Sequence, residues 1–268
     1  MNIRRAYLDL PEAHGGGQLH YRRAGRLGAP TLVLLHQSPS HSAMFAPLME
    51  ALADDFEMIA PDTPGFGASD ALGSEFSIAA AAAAISEGVG QLQIGPCFWF
   101  GHHTGAALAL QVAALAPEQV TALALSGPCL LDENLREKLP QLATPVAVGE
   151  DGSHLRTLWQ RMRAKDESAD PMIWQRDTLQ AAAAGDAYPQ AYAAVAQLDT
   201  AAQLQALRCP TLVLAGTEDP LYPQLAAAHA LLHNSRCAEI PGGRSYVCEQ
   251  QPAAVADLLR EFFGALHA

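Results

Sequence analysis

Residues 98–110 read FWFGHHTGAALAL: an apolar run, a turn carrying Gly101 and Gly105, and an alanine-rich run. Midway between the two glycines stands His103. In many enzymes a strand–turn–helix of this kind carries a serine at its centre. The central residue has a strained backbone that leaves no room for side chains two positions to either side. Histidine at that point offers different chemistry. Its imidazole titrates near neutrality and can act as a general base, activate a neighbouring hydroxyl or, more rarely, attack as a nucleophile. Such a ring needs a partner that fixes its tautomer, and donors that receive the charge developing on a substrate.

The elements able to deliver those groups follow an α/β rhythm. QLHYRRAG (18–25) alternates like a half-buried strand, and TLVLLH (31–36) is continuously apolar, like a strand covered on both faces. FEMIAPD (56–62) and residues 96–100 and 120–126 read as further strands. Helices are predicted over 43–53, 77–92 and 104–116. Strands alternating with helices imply a mainly parallel, doubly wound sheet. From 129 to 204 no strand is predicted, and Pro140, Pro145, Gly149, Pro171, Gly185 and Pro189 punctuate helices. The rhythm resumes with CPTLVLAG (209–216), a helix over 222–232, CAEIP (237–241) and a helix over 252–266. The expected organisation is a core of residues 1–128 and 205–268 with a helical cap, 129–204, inserted into it.

Composition narrows the function. The 268 residues, half of them apolar and 16% charged, suffice for one large domain with an insertion. A net charge of −12 argues against nucleic acid, whose binding needs clustered Lys and Arg, and against an anionic membrane surface. No segment supplies the roughly 18 uninterrupted apolar residues of a membrane span, and the N-terminus does not read as a signal peptide. Five cysteines at wide spacing, with no CxxC, fit a reduced, cytoplasmic setting.

Five segments in order then carry a resemblance. LLHQSPS ends a strand at His36, and DTPGFGASD places Asp62, Gly65, Gly67 and Ser69 in a D-x-x-G-x-G-x-S pattern. The turn at Gly101–Gly105 is the third. LAGTEDPLYP sets Asp219 after a late strand, and IPGGRSYVCEQQP combines a glycine-rich turn with Tyr246, Glu249 and Pro252. Over residues 18–128 and 205–268 the chain resembles the α/β-hydrolase family. The resemblance implies the α/β-hydrolase fold, a mainly parallel doubly wound sheet with a helical cap over the carboxyl ends of its strands. It implies that the turn at His36 supplies an oxyanion-hole donor, the N–H of Ser38, with Gln37 where the family has glycine. The N–H of Thr104 is the second donor. Asp219 falls at the family's acid position, His103 where its nucleophilic serine sits, and Ser245 where its catalytic histidine sits.

Serine and histidine have thus exchanged places, a change that roughly conserves volume. The expected catalytic set is His103, Asp219 and Ser245, with His103 acting on water, on a substrate proton or on Ser245. The expected activity is hydrolysis of a small organic ester, amide or ketone. A lyase or other proton-transfer reaction, such as carbon–carbon cleavage, is the alternative chemistry; a ligand-binding protein without chemistry is the alternative class. His36, Gln37, His102, Cys129, Trp159, Trp174 and Tyr246 are candidates to line the pocket. For the tryptophans helix core is the competing role, as is a small buried apolar residue for Cys129. Tyr188 and Tyr192 have the same two readings, and Arg244 is either an anion anchor or a surface residue. A metal held by His36, His102 and His103 is disfavoured, because adjacent histidines on a turn tend to point apart. No metal, cofactor, nucleic acid or membrane is called for; the partner is a small-molecule substrate, and a homodimer is compatible.

Overall fold

A computed structural model describes residues 2–267. The chain opens with an antiparallel pair, β1 (Arg4–Asp9) and β2 (Gln18–Gly25). β1 has no counterpart in the apolar-pattern reading. It lies at the sheet edge with none of its residues buried, so RRAYLD needs no apolar alternation. Then come β3 (Thr31–Leu35), β4 (Glu57–Pro61), β5 (Cys97–His102), β6 (Val120–Ser126), β7 (Thr211–Gly216) and β8 (Ser235–Ile240). The sheet order is β1-β2-β4-β3-β5-β6-β7-β8. β2 pairs antiparallel with β4, and every pairing from β4 onward to β8 is parallel. Every residue of β4, β5 and β7 is buried, which is why these strands are mainly apolar with no polar alternation.

Helices cover both faces. α1 (Ala46–Ala51), α2 (Ile78–Gln91) and α3 (Thr104–Leu115) intersperse the first strands; a 3-10 turn at Ser42–Phe45 replaces the first part of the helix expected over 43–53, with Pro47 in the first turn of α1. Between β6 and β7 the chain runs through α4 (Glu133–Lys138), α5 (Ser153–Lys165), α6 (Pro171–Ala184), α7 (Ala187–Gln197) and α8 (Thr200–Ala206), with no strand among the described residues. α9 (Leu225–Ala230), α10 (Val247–Gln250) and α11 (Pro252–His267) follow. Period-two alternation divides the strand side chains. Val33, Leu35 and Trp99 join α2, α3 and the 129–204 helices in one apolar cluster. Leu32, Leu34, Phe98 and Phe100 join α1 and α11 in the other. Burying each such Leu or Phe contributes roughly 1.5–3 kcal/mol. The carboxyl ends of β3, β5, β6 and β7 deliver His36–Ser40, His103, Gly127–Cys129 and Asp219 to one edge of this framework.

Candidate active site

β5 ends at His102 and α3 begins at Thr104, so His103 alone makes the turn, with φ 51° and ψ −115°. Among the described non-glycine residues only it and Gln93 have positive φ. Such a conformation costs on the order of 1–3 kcal/mol and persists only where the surroundings impose it. Here they do. The His103 N–H donates to the Ser126 carbonyl at 2.8 Å, and its own carbonyl accepts from Ala106 N–H at 2.7 Å. A Cβ at Gly101 would lie 2.1 Å from the Gly105 carbonyl oxygen, and one at Gly105 would lie 2.0 Å from that of Leu35. The two glycines are required by neighbouring backbone. A third, Gly127, was not among the sequence candidates. It follows β6 with φ +60°, and a Cβ there would meet the His103 ring at 2.4 Å. The imidazole therefore rests on bare backbone; the SGP sequence right after the β6 run was the only signal.

The ring reaches Asp219: Nε2 lies 2.7 Å from Oδ2, with the carboxylate side chain 1% exposed and the imidazole 17%. A carboxylate only accepts, so Nε2 carries a proton, and in the neutral form of the ring Nδ1 is the atom with a free lone pair. Among the described residues nothing hydrogen-bonds Nδ1. That nitrogen stands one covalent bond farther from Cα than a serine oxygen would. Burial alone would push the Asp219 carboxyl up. The adjacent His103 ring and its hydrogen bond, with the nearby His102 and the Leu221 N–H, outweigh burial and hold it below the usual carboxylate range.

His102 does not point away from His103, contrary to expectation. The rings stack, centroids 4.1 Å apart and planes 29° from parallel, because the positive φ at 103 folds the second ring back over the first. His102 Nε2 donates to the Ser245 carbonyl at 3.0 Å and Nδ1 accepts from Ser126 Oγ at 3.0 Å. Full burial, aided by the neighbouring His103, drives its pKa down to about 3, so it stands neutral beside the His103 ring. No group of three His, Cys, Asp or Glu among the described residues is placed to hold a metal. Ser245 meets His102 through its backbone carbonyl and not through its hydroxyl. Ser245 Oγ turns to the Lys165 carbonyl at 3.4 Å and makes no bond to His103, so the expected hydroxyl-to-imidazole link is absent among the described residues.

The turn after β3 is fixed from within. His36 Nδ1 donates to the Gln37 carbonyl at 2.8 Å, and Nε2 accepts from Thr63 N–H at 2.9 Å. Burial pushes this imidazole's pKa down, which keeps it in that neutral tautomer. The Ser38 carbonyl accepts from Lys165 Nζ at 3.0 Å and from Tyr192 hydroxyl at 3.1 Å. Lys165 was not a sequence candidate; nothing in its spacing marks a contact spanning 127 residues. The N–H groups of Ser38 and Thr104 have no protein acceptor among the described residues.

Other candidates make contacts within the fold. Burial pushes the Cys129 thiol up to about 12; it donates to the His103 carbonyl at 3.2 Å and is not a thiolate. Trp159 and Trp174 meet edge to face at 5.9 Å, and the Trp174 indole donates to the Asp166 carbonyl. Tyr246 is fully buried, its hydroxyl facing the Met162 carbonyl at 3.4 Å. Arg244 pairs with Glu218 and lies 3.7 Å from Asp166, so it is not a free anion anchor. Two crevices, of about 560 and 410 Å³, run between α7 and the 64–77 loop; both touch Phe76, Asp186 and Gln190, and His103 lines neither.

Residues 30–252 match the family model of the alpha/beta hydrolase fold, and the chain belongs to that family. Its relatives include a pimeloyl-[acyl-carrier protein] methyl ester esterase of Xanthomonas campestris. That protein is 30% identical over 253 residues, 88% of this chain and 96% of the relative. An uncharacterized hydrolase of Saccharomyces cerevisiae is 30% identical over 128 residues, 47% of this chain; the match spans less than half of that relative, 44%. Among solved structures, a malate-bound thermophilic esterase of Thermogutta terrifontis superposes with a TM-score of 0.81 at 23% identity, covering 99% of this chain and 100% of that one.

Proposed function

We propose that this protein hydrolyses a small organic ester or amide with His103 as general base, without an acyl-serine at the elbow. The observation that carries the reading is the 2.7 Å His103–Asp219 contact on the strained turn. The names of the relatives, an esterase and a hydrolase, support the reaction class. In the proposed step, Nδ1 takes a proton from water as the oxygen adds to the substrate carbonyl. The N–H groups of Thr104 and Ser38 receive the oxyanion. On collapse the imidazolium returns the proton to the departing alkoxide or amine. Asp219 fixes the tautomer and stabilises the imidazolium. Residues 129–204 act as a cap, with Lys165 and Tyr192 holding the oxyanion turn, and the cap moves to admit substrate. The test is hydrolysis of 4-nitrophenyl esters. His103→Ala is expected to lower kcat/KM by about 10²–10⁴-fold, the usual weight of a general base. A serine-directed fluorophosphonate should leave wild type unlabelled. Full activity in His103→Ala, or labelling of Ser245, sinks this mechanism.

A further inference from the structure

A hydrogen bond fixes a point, not a plane. The 2.7 Å contact from Nε2 to Asp219 holds one corner of the His103 ring and leaves the ring free to tilt about that corner. Proton transfer needs more, because the Nδ1 lone pair must keep one direction. Another contact has to set the plane of the imidazole.

Three neighbours bound the ring. Asp219 closes the Nε2 corner. The bare backbone of Gly127 lies along the adjoining edge, where a Cβ would come within 2.4 Å of Cδ2 and 2.7 Å of Nε2. His102 covers a face, with ring centroids 4.1 Å apart and planes 29° from parallel. Of the three, only His102 offers a flat surface that resists tilting.

A flat surface restrains its neighbour only if it is itself held, and His102 is held at both ring nitrogens. His102 and Ser126 are register partners in the parallel pair β5–β6, which sets their side chains on the same face of the sheet. The Ser126 hydroxyl donates to Nδ1 at 3.0 Å, and Nε2 donates at 3.0 Å to the Ser245 carbonyl, on the turn between β8 and α10. All three residues are buried, so solvent does not compete for these bonds. The Ser126 carbonyl accepts the His103 N–H at 2.8 Å, so one serine anchors the main chain of one histidine and the ring of the other. With one nitrogen donating and the other accepting, His102 presents an uncharged π face to the ring that takes up the proton.

We propose that His102 is a positioning residue for His103: pinned between Ser126 and Ser245, it sets the plane of the His103 ring and so the direction of the Nδ1 lone pair. The effect on turnover rests on His103 acting as base; the restraint itself does not, and the experiment separates the two. Three full-length variants are compared with wild type. His102→Phe keeps a flat ring and loses both anchors, His102→Leu loses the flat face as well, and Ser126→Ala keeps the ring and loses one anchor. The first readout is the NMR signal of the Nε2 proton shared with Asp219, which is sharp only while the hydrogen bond outlasts exchange with water. It is expected to stay sharp in wild type and His102→Phe and to broaden in His102→Leu. The second readout is hydrolysis of 4-nitrophenyl acetate. The expected fall in kcat is about threefold in Ser126→Ala, about fivefold in His102→Phe and about 30-fold or more in His102→Leu, with KM within about twofold throughout. An equally sharp signal in His102→Leu overturns the restraint, and turnover by wild type then leaves hydrolysis standing. The expected NMR ranking with kcat unchanged in all three variants, or with KM rising in place of the fall in kcat, overturns the positioning role. The same ranking with no turnover by wild type overturns the hydrolytic reading and leaves the restraint standing. Should His102→Leu not fold, an unchanged kcat in Ser126→Ala overturns the proposal.

Discussion

His103 takes its place from its neighbours' lack of side chains. Gly101 and Gly105 are demanded by backbone at 2.1 and 2.0 Å, and such constraints leave a plain mark in a sequence. That is why the tight turn at His103 is legible. The stacking of His102 on His103 was not, because it depends on the sign of φ at one residue. Nor was the loss of the Ser245 hydroxyl to the Lys165 carbonyl, which a swap argument based on position alone cannot see. Two outcomes follow at this scale. Gly127→Ala would push a methyl into the His103 ring on a backbone with φ +60°; kcat is expected to fall about 10- to 100-fold, as for a misplaced catalytic group, with circular dichroism preserved. Reversing the exchange, with His103→Ser and Ser245→His together, should yield a protein that a fluorophosphonate labels at position 103. Mass spectrometry of the labelled peptide checks it. No label would mean that the groove around 245 no longer accepts an imidazole beside Asp219.

At the scale of elements, the strands buried on both faces are legible because they are mainly apolar, and β2 at 18–25 is legible by alternation. β1 was missed because an edge strand with no buried residue has nothing to announce it. The contacts of α5, α6 and α7 with the core were also unreadable. Lys165 to Ser38, Tyr192 to Ser38 and Arg176 to Glu249 join residues far apart by single hydrogen bonds or ion pairs, with no periodicity. Arg176 matters most among them. It answers both Asp177 and Glu249, whose side chains are 0% and 10% exposed. Arg176→Met would leave two buried carboxylates unpaired. The expected loss is about 3 kcal/mol, by analogy with breaking other buried pairs, read as a lower urea midpoint.

For the whole molecule, acid is the predicted weakness. Burial lowers the pKa of His36, of His41 to about 4, and of His102 to about 3, from 6.5. Each ring is neutral in the fold but takes a proton in the unfolded chain below 6.5, so the unfolded state binds more protons and stability falls as pH drops from 6.5 through 4 toward 3. Asp62 and Asp219, both held below 3.8, add to the loss at the acid end of that range. Urea midpoints measured at pH 8, 6 and 4.5 should decline in that order, and a flat profile would show that the histidines are not held neutral. No helix among the described residues is long and apolar enough to cross a membrane. The Ser38 carbonyl has a consequence that reaches across the molecule. It is gripped by Lys165 and Tyr192 from the segment between β6 and β7, while in the proposed mechanism its own residue offers an N–H to the oxyanion. Under the proposed mechanism, the gate and the reaction chamber therefore share a latch. A bulky ester that props the gate ajar also slackens the turn it must react against. Size selection then needs no wall: along a series of 4-nitrophenyl esters from acetate to decanoate, kcat should decline with chain length while KM changes little.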